Sequence, residues 1–429
     1  MDSEMASLKA RLAGRRYLLV SLAPFHRDEA GQVWLDPLWH RDLVAHLDYL
    51  SEVVVFAERE PMPCGGSTEL VLVDPSLTSR LQFLERPAVR SKMQLVLALP
   101  RATAVTVRAV KKAHIVHSGV AGWPLPPGIL VNPLAVLMRR PLIVVVESAF
   151  WRLSGPGRHP WAMRVRARLI EAFCRWSVRR ARLSVFTQPE YREQLGGGRG
   201  QAMLTPASLL DDEDVLADHE VRAAWMAKGA TPRFVLAARL TRAKGVEVFL
   251  EALRLAEARR VPIHATVIGT GELEAAAREL AGRLRIVRLD VARPVAYGAD
   301  FLTFLRGFHM AVVPTLSDEQ PRILFDAFSQ GVPVLGSDTA GNRGLVIRGE
   351  SGWMAPPGDA EALLRLMRRA IEDPSPLVGM GLAARDIAAR HTCRAMHLDR
   401  ARRLAALFGP PDDPLPAGSD ALSGQVHAP

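Results

Sequence analysis

Short, nearly uninterrupted apolar runs alternate along this chain with longer stretches in which apolar residues return every three or four positions. The runs at 17–23 (YLLVSLA), 52–57, 94–99, 115–116, 142–146 and 184–187 read as strands buried on both faces, since an inner strand of a parallel sheet has no polar side. The stretches at 38–50 and 160–182 carry the helical period instead. The alternation restarts after residue 232, with strands predicted at 234–238, 263–268, 285–289, 311–314 and 332–335. Helices are predicted at 246–258, from 272, at 296–308, from 321, at 361–373 and at 385–407. Strand and helix in regular alternation predict an α/β chain with doubly wound parallel sheets, and the restart predicts two of them. Residues 24–37 and the Gly- and Pro-rich 119–133 read as loops at the edge where strand C-termini gather and ligands bind. The expected plan is a first domain at 1–205, a linker at 206–232 that carries an acidic run (211–214) and then a helix to 227, and a second domain at 233–390. A helix at 391–408 is placed to pack back on the first domain, and the Pro-, Gly-, Asp- and Ser-rich tail at 409–429 reads as disordered.

Size and charge narrow the function classes. The chain has 429 residues, more than one ordinary core, so two domains of about 200 residues each are expected. Its formal charge of +10 would suit nucleic acid, phosphorylated ligands or an anionic membrane surface. No motif that reads RNA or DNA accompanies it, so no nucleic-acid partner is expected. Seven arginines (164, 166, 168, 175, 179, 180 and 182) crowd one helical stretch, interleaved with Val165, Leu169, Phe173, Trp176 and Val178. That stretch reads either as a solvated basic face or as a dock for anionic lipid head groups. Cys64, Cys174 and Cys393 are odd in number and lack metal-ligand spacing, which points to a reducing compartment. The N-terminus has no apolar signal core and no run of about 20 apolar residues occurs, so a cytoplasmic protein is expected, with peripheral attachment to the inner face of the cytoplasmic membrane left open.

The chemistry concentrates at 310–337 (MAVVPTLSDEQPRILFDAFSQGVPVLGS), read as strand, polar loop, short helix and second strand. Pro321 suits a first helical position and Gly331 an exit. Amides of the 321–324 turn would lack intrahelical partners and could meet an anion. Asp318 and Asp326, eight apart, would frame that site from roughly one side. Phosphates for the amides and vicinal hydroxyls for the carboxylates describe a nucleotide sugar. Arg239 and Lys244, at the turn between a strand and a helix, make a diphosphate clamp. Gly269-Thr270-Gly271 follows a buried strand but lacks the third glycine and the acidic partner of a dinucleotide fingerprint, so close approach of a nucleobase fits better than nicotinamide.

These residues together resemble the group 1 glycosyltransferases, retaining enzymes of the GT-B architecture with two Rossmann-like domains facing a central cleft. The resemblance rests on ARLTRAKGVEVFLEAL (238–253), VIGTGELE (267–274), SDEQPRILFDAFSQGVPV (317–334) and RGESGWMAPPGDAEAL (348–363). It implies that Arg239 and Lys244 neutralise the donor diphosphate. It places Asp318 and Asp326 at the two positions of the family's E-x7-E motif, the first beside the donor sugar and the second on the ribose. Both are aspartate here, and Glu319 is a rival for the first role. Backbone around Pro321, Arg322, Ile323 and Leu324 would contact sugar or phosphates, and Gly269 and Gly271 would sit by the base. His117 lies where many members have H-x-H, with Gly119 in place of the second histidine, and implies a catalytic or sugar contact. Glu147, Asp36 and His40 are further first-domain candidates, while Ala23-Pro24-Phe25 stands where a glycine pair is common.

The expected reaction moves a sugar from a nucleoside-diphosphate donor to a glycan or lipid-linked acceptor, with no cofactor or metal called for. Peripheral contact with an anionic membrane goes with a lipid-borne acceptor. The alternatives are a catalytically silent nucleotide-sugar binder or partner subunit, and a phosphorylase or sugar-nucleotide epimerase of the same architecture.

Overall fold

The computed structural model of the protein describes residues 2–63, 70–88, 92–122, 126–149, 151–152, 160–196, 200–206 and 208–410. Cys64 and nearly all of the tail expected to be disordered (411–429) lie outside them. The first sheet holds β1 (Arg16–Val20), β2 (Phe25–Arg27), β3 (Val33–Leu35), β4 (Glu52–Glu60), β5 (Val71–Leu72), β6 (Leu81–Arg86), β7 (Ile115–Gly119), β8 (Leu142–Val146), β9 (Leu183–Phe186) and β10 (Gln201–Leu204). Its parallel body runs β10-β9-β8-β7-β1-β4-β6, and β2, β3 and β5 form a small annex on the far end of β4. The second sheet holds β11 (Arg233–Ala237), β12 (His264–Ile268), β13 (Arg288–Ala292), β14 (Met310–Val313), β15 (Val334–Ser337) and β16 (Gly352–Ala355). Its order is β13-β12-β11-β14-β15-β16, parallel throughout. All five residues of β8 are buried, as a run of LIVVV requires of an inner strand.

Three expectations are corrected. The apolar run at 94–99 is no strand but part of the helix Lys92–Lys112. Leu97 and Leu99 point outward, which an inner strand would forbid, while Ala109 and Val110 of the same helix are buried against the sheet. Packing of the whole 21-residue helix overrides the local β-like run. Residues 119–133 are not all loop, because the helix Gly128–Leu137 begins there. A Cβ on Gly128 would stand 2.3 Å from the Gly119 carbonyl, so this glycine serves close helix–strand approach. The stretch 385–407 is not one helix but parts of two, Leu377–Ala389 and Cys393–Phe408. The helix expected to run to 227 is Asp218–Met226, whose Val221 is fully buried. Leu216 N–H, just before it, reaches the Ser329 carbonyl at 3.0 Å, and Trp225 Nε1, within it, reaches the Gly331 carbonyl at 2.9 Å, so the expected linker packs on the second domain.

The last helix, Cys393–Phe408, places Leu398, Ala401, Leu404, Ala405 and Phe408 in the first domain's core. A buried polar network pins it there. Arg400 Nη1 donates to His46 Nε2 at 2.9 Å, and the other ring nitrogen of His46 donates to the Asp42 carbonyl at 2.7 Å. His397 bridges Asp42 Oδ1 and the Tyr49 hydroxyl, each at 3.1 Å. Burial drives His46 down to about 3, so it stays neutral between the charged Asp42 and Arg400.

Candidate active site

In the second sheet the chain runs outward from β11 to β12 and β13, then returns to β14 on the other side of β11. Loops leaving β11 and β14 therefore part in opposite directions and open a crevice, the usual ligand position in such sheets. The β11 loop carries Arg239, then turns through Arg242–Lys244 into the helix Val246–Ala258. At the turn stands Gly245, with φ of 71°. A Cβ there would lie 1.8 Å from the Pro314 carbonyl, so only glycine lets the two loops touch. The Ala243 carbonyl accepts from Leu316 N–H at 2.9 Å and from Thr315 Oγ1 at 3.1 Å. This clamp carries Lys244 to the β14 loop, where its Nζ stands 3.7 Å from Glu319 Oε2 and its side chain is 20 % exposed. Arg239 projects into solvent from the same β11 loop.

Gly269 and Gly271 follow β12 with φ of 141° and 153°. Added Cβ atoms would come within 1.9 Å of the Ala238 carbonyl and 2.6 Å of the Leu240 carbonyl. Their glycine identity is thus set by the chain itself: they let this loop lie flat against the one bearing Arg239 and so shape the crevice wall.

The helix expected from Pro321 runs from Ile323 to Ser329, entered through a turn in which Leu324 N–H reaches the Pro321 carbonyl at 3.2 Å. Pro321 and Leu324 are buried, Ile323 is partly so, and Arg322 is exposed. Residues 318–322 precede the helix, so a non-helical turn separates the two aspartates along the chain. Asp318 is exposed, and its carbonyl accepts from Gln188 Nε2 at 2.7 Å and the Tyr191 hydroxyl at 3.3 Å, both from the first domain. Gln320 Nε2 reaches the Thr187 carbonyl at 3.3 Å alongside. Asp326 is only 3 % exposed and takes the Tyr297 hydroxyl on Oδ1 at 2.9 Å. Burial raises its carboxyl to about 6, against the opposing pull of Tyr297 and Arg322. The carboxylate the fold brings against Lys244 is that of Glu319.

On the first domain, His117 is 8 % exposed and its Nδ1 is engaged by the Tyr17 hydroxyl at 2.7 Å. Burial, then Arg400 and His46, push it well below the usual imidazole range. Its ring belongs to the network under the last helix. Asp36 caps the helix Pro37–His46, accepting from the Leu38 and Trp39 amides. His40 is half-buried and lowered by that burial. Glu147, just past β8, is exposed, and the surrounding protein, with Asp42 adding to it, raises its carboxyl. Gln188, Tyr191 and Tyr297 escaped the sequence reading. For the first two, the only available signal was their place just past the end of β9; for Tyr297 there was none. A surface notch lined by Arg254, Glu257 and Arg283 lies between the helices Val246–Ala258 and Glu274–Arg283, and Glu257 is already occupied by the amides of Arg285, Ile286 and Val287.

Residues 231–373 match the family model described as glycosyl transferases group 1. That stretch is a group 1 glycosyltransferase domain. The chain is 32 % identical over 162 residues to the amylovoran biosynthesis glycosyltransferase AmsK of Erwinia amylovora, a match covering 36 % of this chain and 39 % of that protein. It is 27 % identical over 143 residues to the putative colanic acid biosynthesis glycosyltransferase WcaL of Salmonella typhimurium, covering 32 % and 35 %. Among solved structures, sucrose-phosphate synthase from Thermosynechococcus elongatus superposes with a TM-score of 0.65 at 17 % identity, over 92 % of this chain and 99 % of that one. Anabaena Alr3699/HepE in complex with UDP-glucose superposes at 0.60 and 14 % identity, over 90 % and 98 %. These likenesses extend across both sheets, and the two-domain arrangement is GT-B. Lys244 and Glu319 both lie within the matched stretch.

Proposed function

We propose that the chain transfers a sugar from a nucleoside-diphosphate sugar to a hydroxyl acceptor with the anomeric configuration retained, in the synthesis of a cell-surface polysaccharide or glycolipid. The observation that carries this reading is the approach of Lys244 to Glu319 between the β11 and β14 loops at the switch point, and Arg239 stands on the same β11 loop as Lys244. Two cations beside a departing diphosphate stabilise the charge that grows as its bond to the anomeric carbon breaks. Glu319 or Asp318 would meet the donor sugar, and the acceptor would enter from the first domain past Glu147. Asp326 would take the ribose through its second oxygen or by displacing Tyr297. A polysaccharide product is supported by the names of the two relatives, each matched over less than two-fifths of its length.

The sealing of Asp326 under Tyr297 favours a second reading, a nucleotide-sugar binder without turnover. A panel of nucleotide sugars, offered to the purified chain with membrane extract as acceptor source, separates the two. Transfer is supported by release of nucleoside diphosphate from one donor. Protection from thermal unfolding with no release from any donor would establish the binder.

A further inference from the structure

The helix Trp161–Arg180 has two apolar faces where a surface helix needs one. Ile170, Cys174, Ser177 and Val178 are buried against the sheet. Trp161, Val165 and Leu169, spaced four apart, stand on the opposite side, since Trp161 and Ile170 are separated by about 180° at helical pitch. Trp161 is 72 % exposed and Leu169 66 %. Exposed Arg164 and Arg168 flank this outward stripe, and Arg179 and Arg180 extend it toward the C-terminus. The helix has one acid, Glu171, and it is engaged by Trp151, Arg152 and Arg175. The neighbouring helices Lys92–Lys112 and Gly128–Leu137 cover the same sheet face and also turn leucines outward, Leu97 and Leu137 being 75 % and 78 % exposed.

We infer that this helical layer docks the protein on an anionic lipid surface. An apolar stripe bordered by arginines, with its lone acid neutralised from within, complements a sheet of negative head groups over a hydrocarbon interior. The stems of Arg164 and Arg168 lie along the stripe while their heads reach phosphates, and Trp161 suits the boundary between the two zones. No helix among the described residues is long and apolar enough to cross a membrane, so this contact is peripheral. The inference rests on this layer alone and stands apart from the donor reading.

Sedimentation of the full chain with vesicles tests it, using phosphatidylcholine alone and phosphatidylcholine with about one-third phosphatidylglycerol. The expected result is binding to the anionic vesicles at low salt and little to the neutral ones. Replacing Trp161→Ser together with Leu169→Ser should weaken binding by about tenfold, and Arg164→Gln with Arg168→Gln should weaken it and flatten its salt dependence. All four side chains are exposed, so melting temperatures should match the parent. Three results would overturn the inference: no binding to anionic vesicles, undiminished binding of the serine variant, or self-association in solution that the serine substitutions abolish.

Discussion

The hydroxyl of Tyr297 donates to Oδ1 of Asp326 at 2.9 Å, and the Arg322 guanidinium lies 4.9 Å from the Tyr297 ring centre. A carboxylate cut off from water is thus held by one donor and one nearby cation. That balance leaves the folded carboxyl titrating near about 6, against 3.8 ordinarily. Between those values the folded chain holds a proton that the unfolded chain has released. The group's contribution to stability is therefore full below the ordinary value and lost as pH rises through the folded one. Asp326→Asn should remove a loss of roughly 1–3 kcal/mol between pH ~4 and ~7. Chemical denaturation of both proteins at the two pH values checks it, and a parallel pH response in the two would contradict it.

The histidines titrate with the opposite sign. His46, His117, His309, His391 and His397 are all lowered, each first by burial. Unfolding exposes them to protons, so their contribution is present above the ordinary imidazole value and lost as pH falls below it. Stability measured in denaturant should drop between pH ~7.5 and ~5.5 by about 1 kcal/mol or more for each unit of pH. A flat profile in the Asp326→Asn background, where the opposing carboxyl is gone, would count against the buried network.

Two acids compete for one role beside the donor. Glu319 faces Lys244 at 3.7 Å, while Asp318 is exposed and anchored through its carbonyl to the first domain. Glu319→Gln should lower turnover by more than Asp318→Asn does, and Lys244→Ala should lower it by about 10²-fold, as loss of one preorganised electrostatic contact does. Steady-state rates on the donor found by the panel decide the order.

Gly245→Ala meets both a left-handed backbone and the Pro314 carbonyl. The clamp between the β11 and β14 loops should open, at a stability cost of roughly 1–3 kcal/mol. Gly282→Ala, in open surroundings within a helix, is the control and should leave the melting temperature unchanged or higher.

The parallel strands were legible because inner strands need apolar residues at every position, and LIVVV at β8 has no other comfortable home. The turn that carries Arg239 and Lys244 was legible because a strand, a short polar turn and a helix recur in one order. The helix Lys92–Lys112 was not, since its apolar run 94–99 also satisfies a strand pattern and Pro100 lies inside it. Tyr297 could not be found either. It lies 29 positions before Asp326, and only the packing of the helix Ala299–Arg306 beside Ile323–Ser329 brings the two together.

Titration of nucleoside diphosphates into the parent protein and Lys244→Ala, followed by calorimetry, tests the crevice most directly. The expected result is that at least one nucleoside diphosphate binds the parent and binds the variant about tenfold or more weakly, as loss of a charge-assisted contact requires. Equal affinity for both proteins, or no binding of any nucleoside diphosphate to the parent, would contradict a donor site between Lys244 and Glu319.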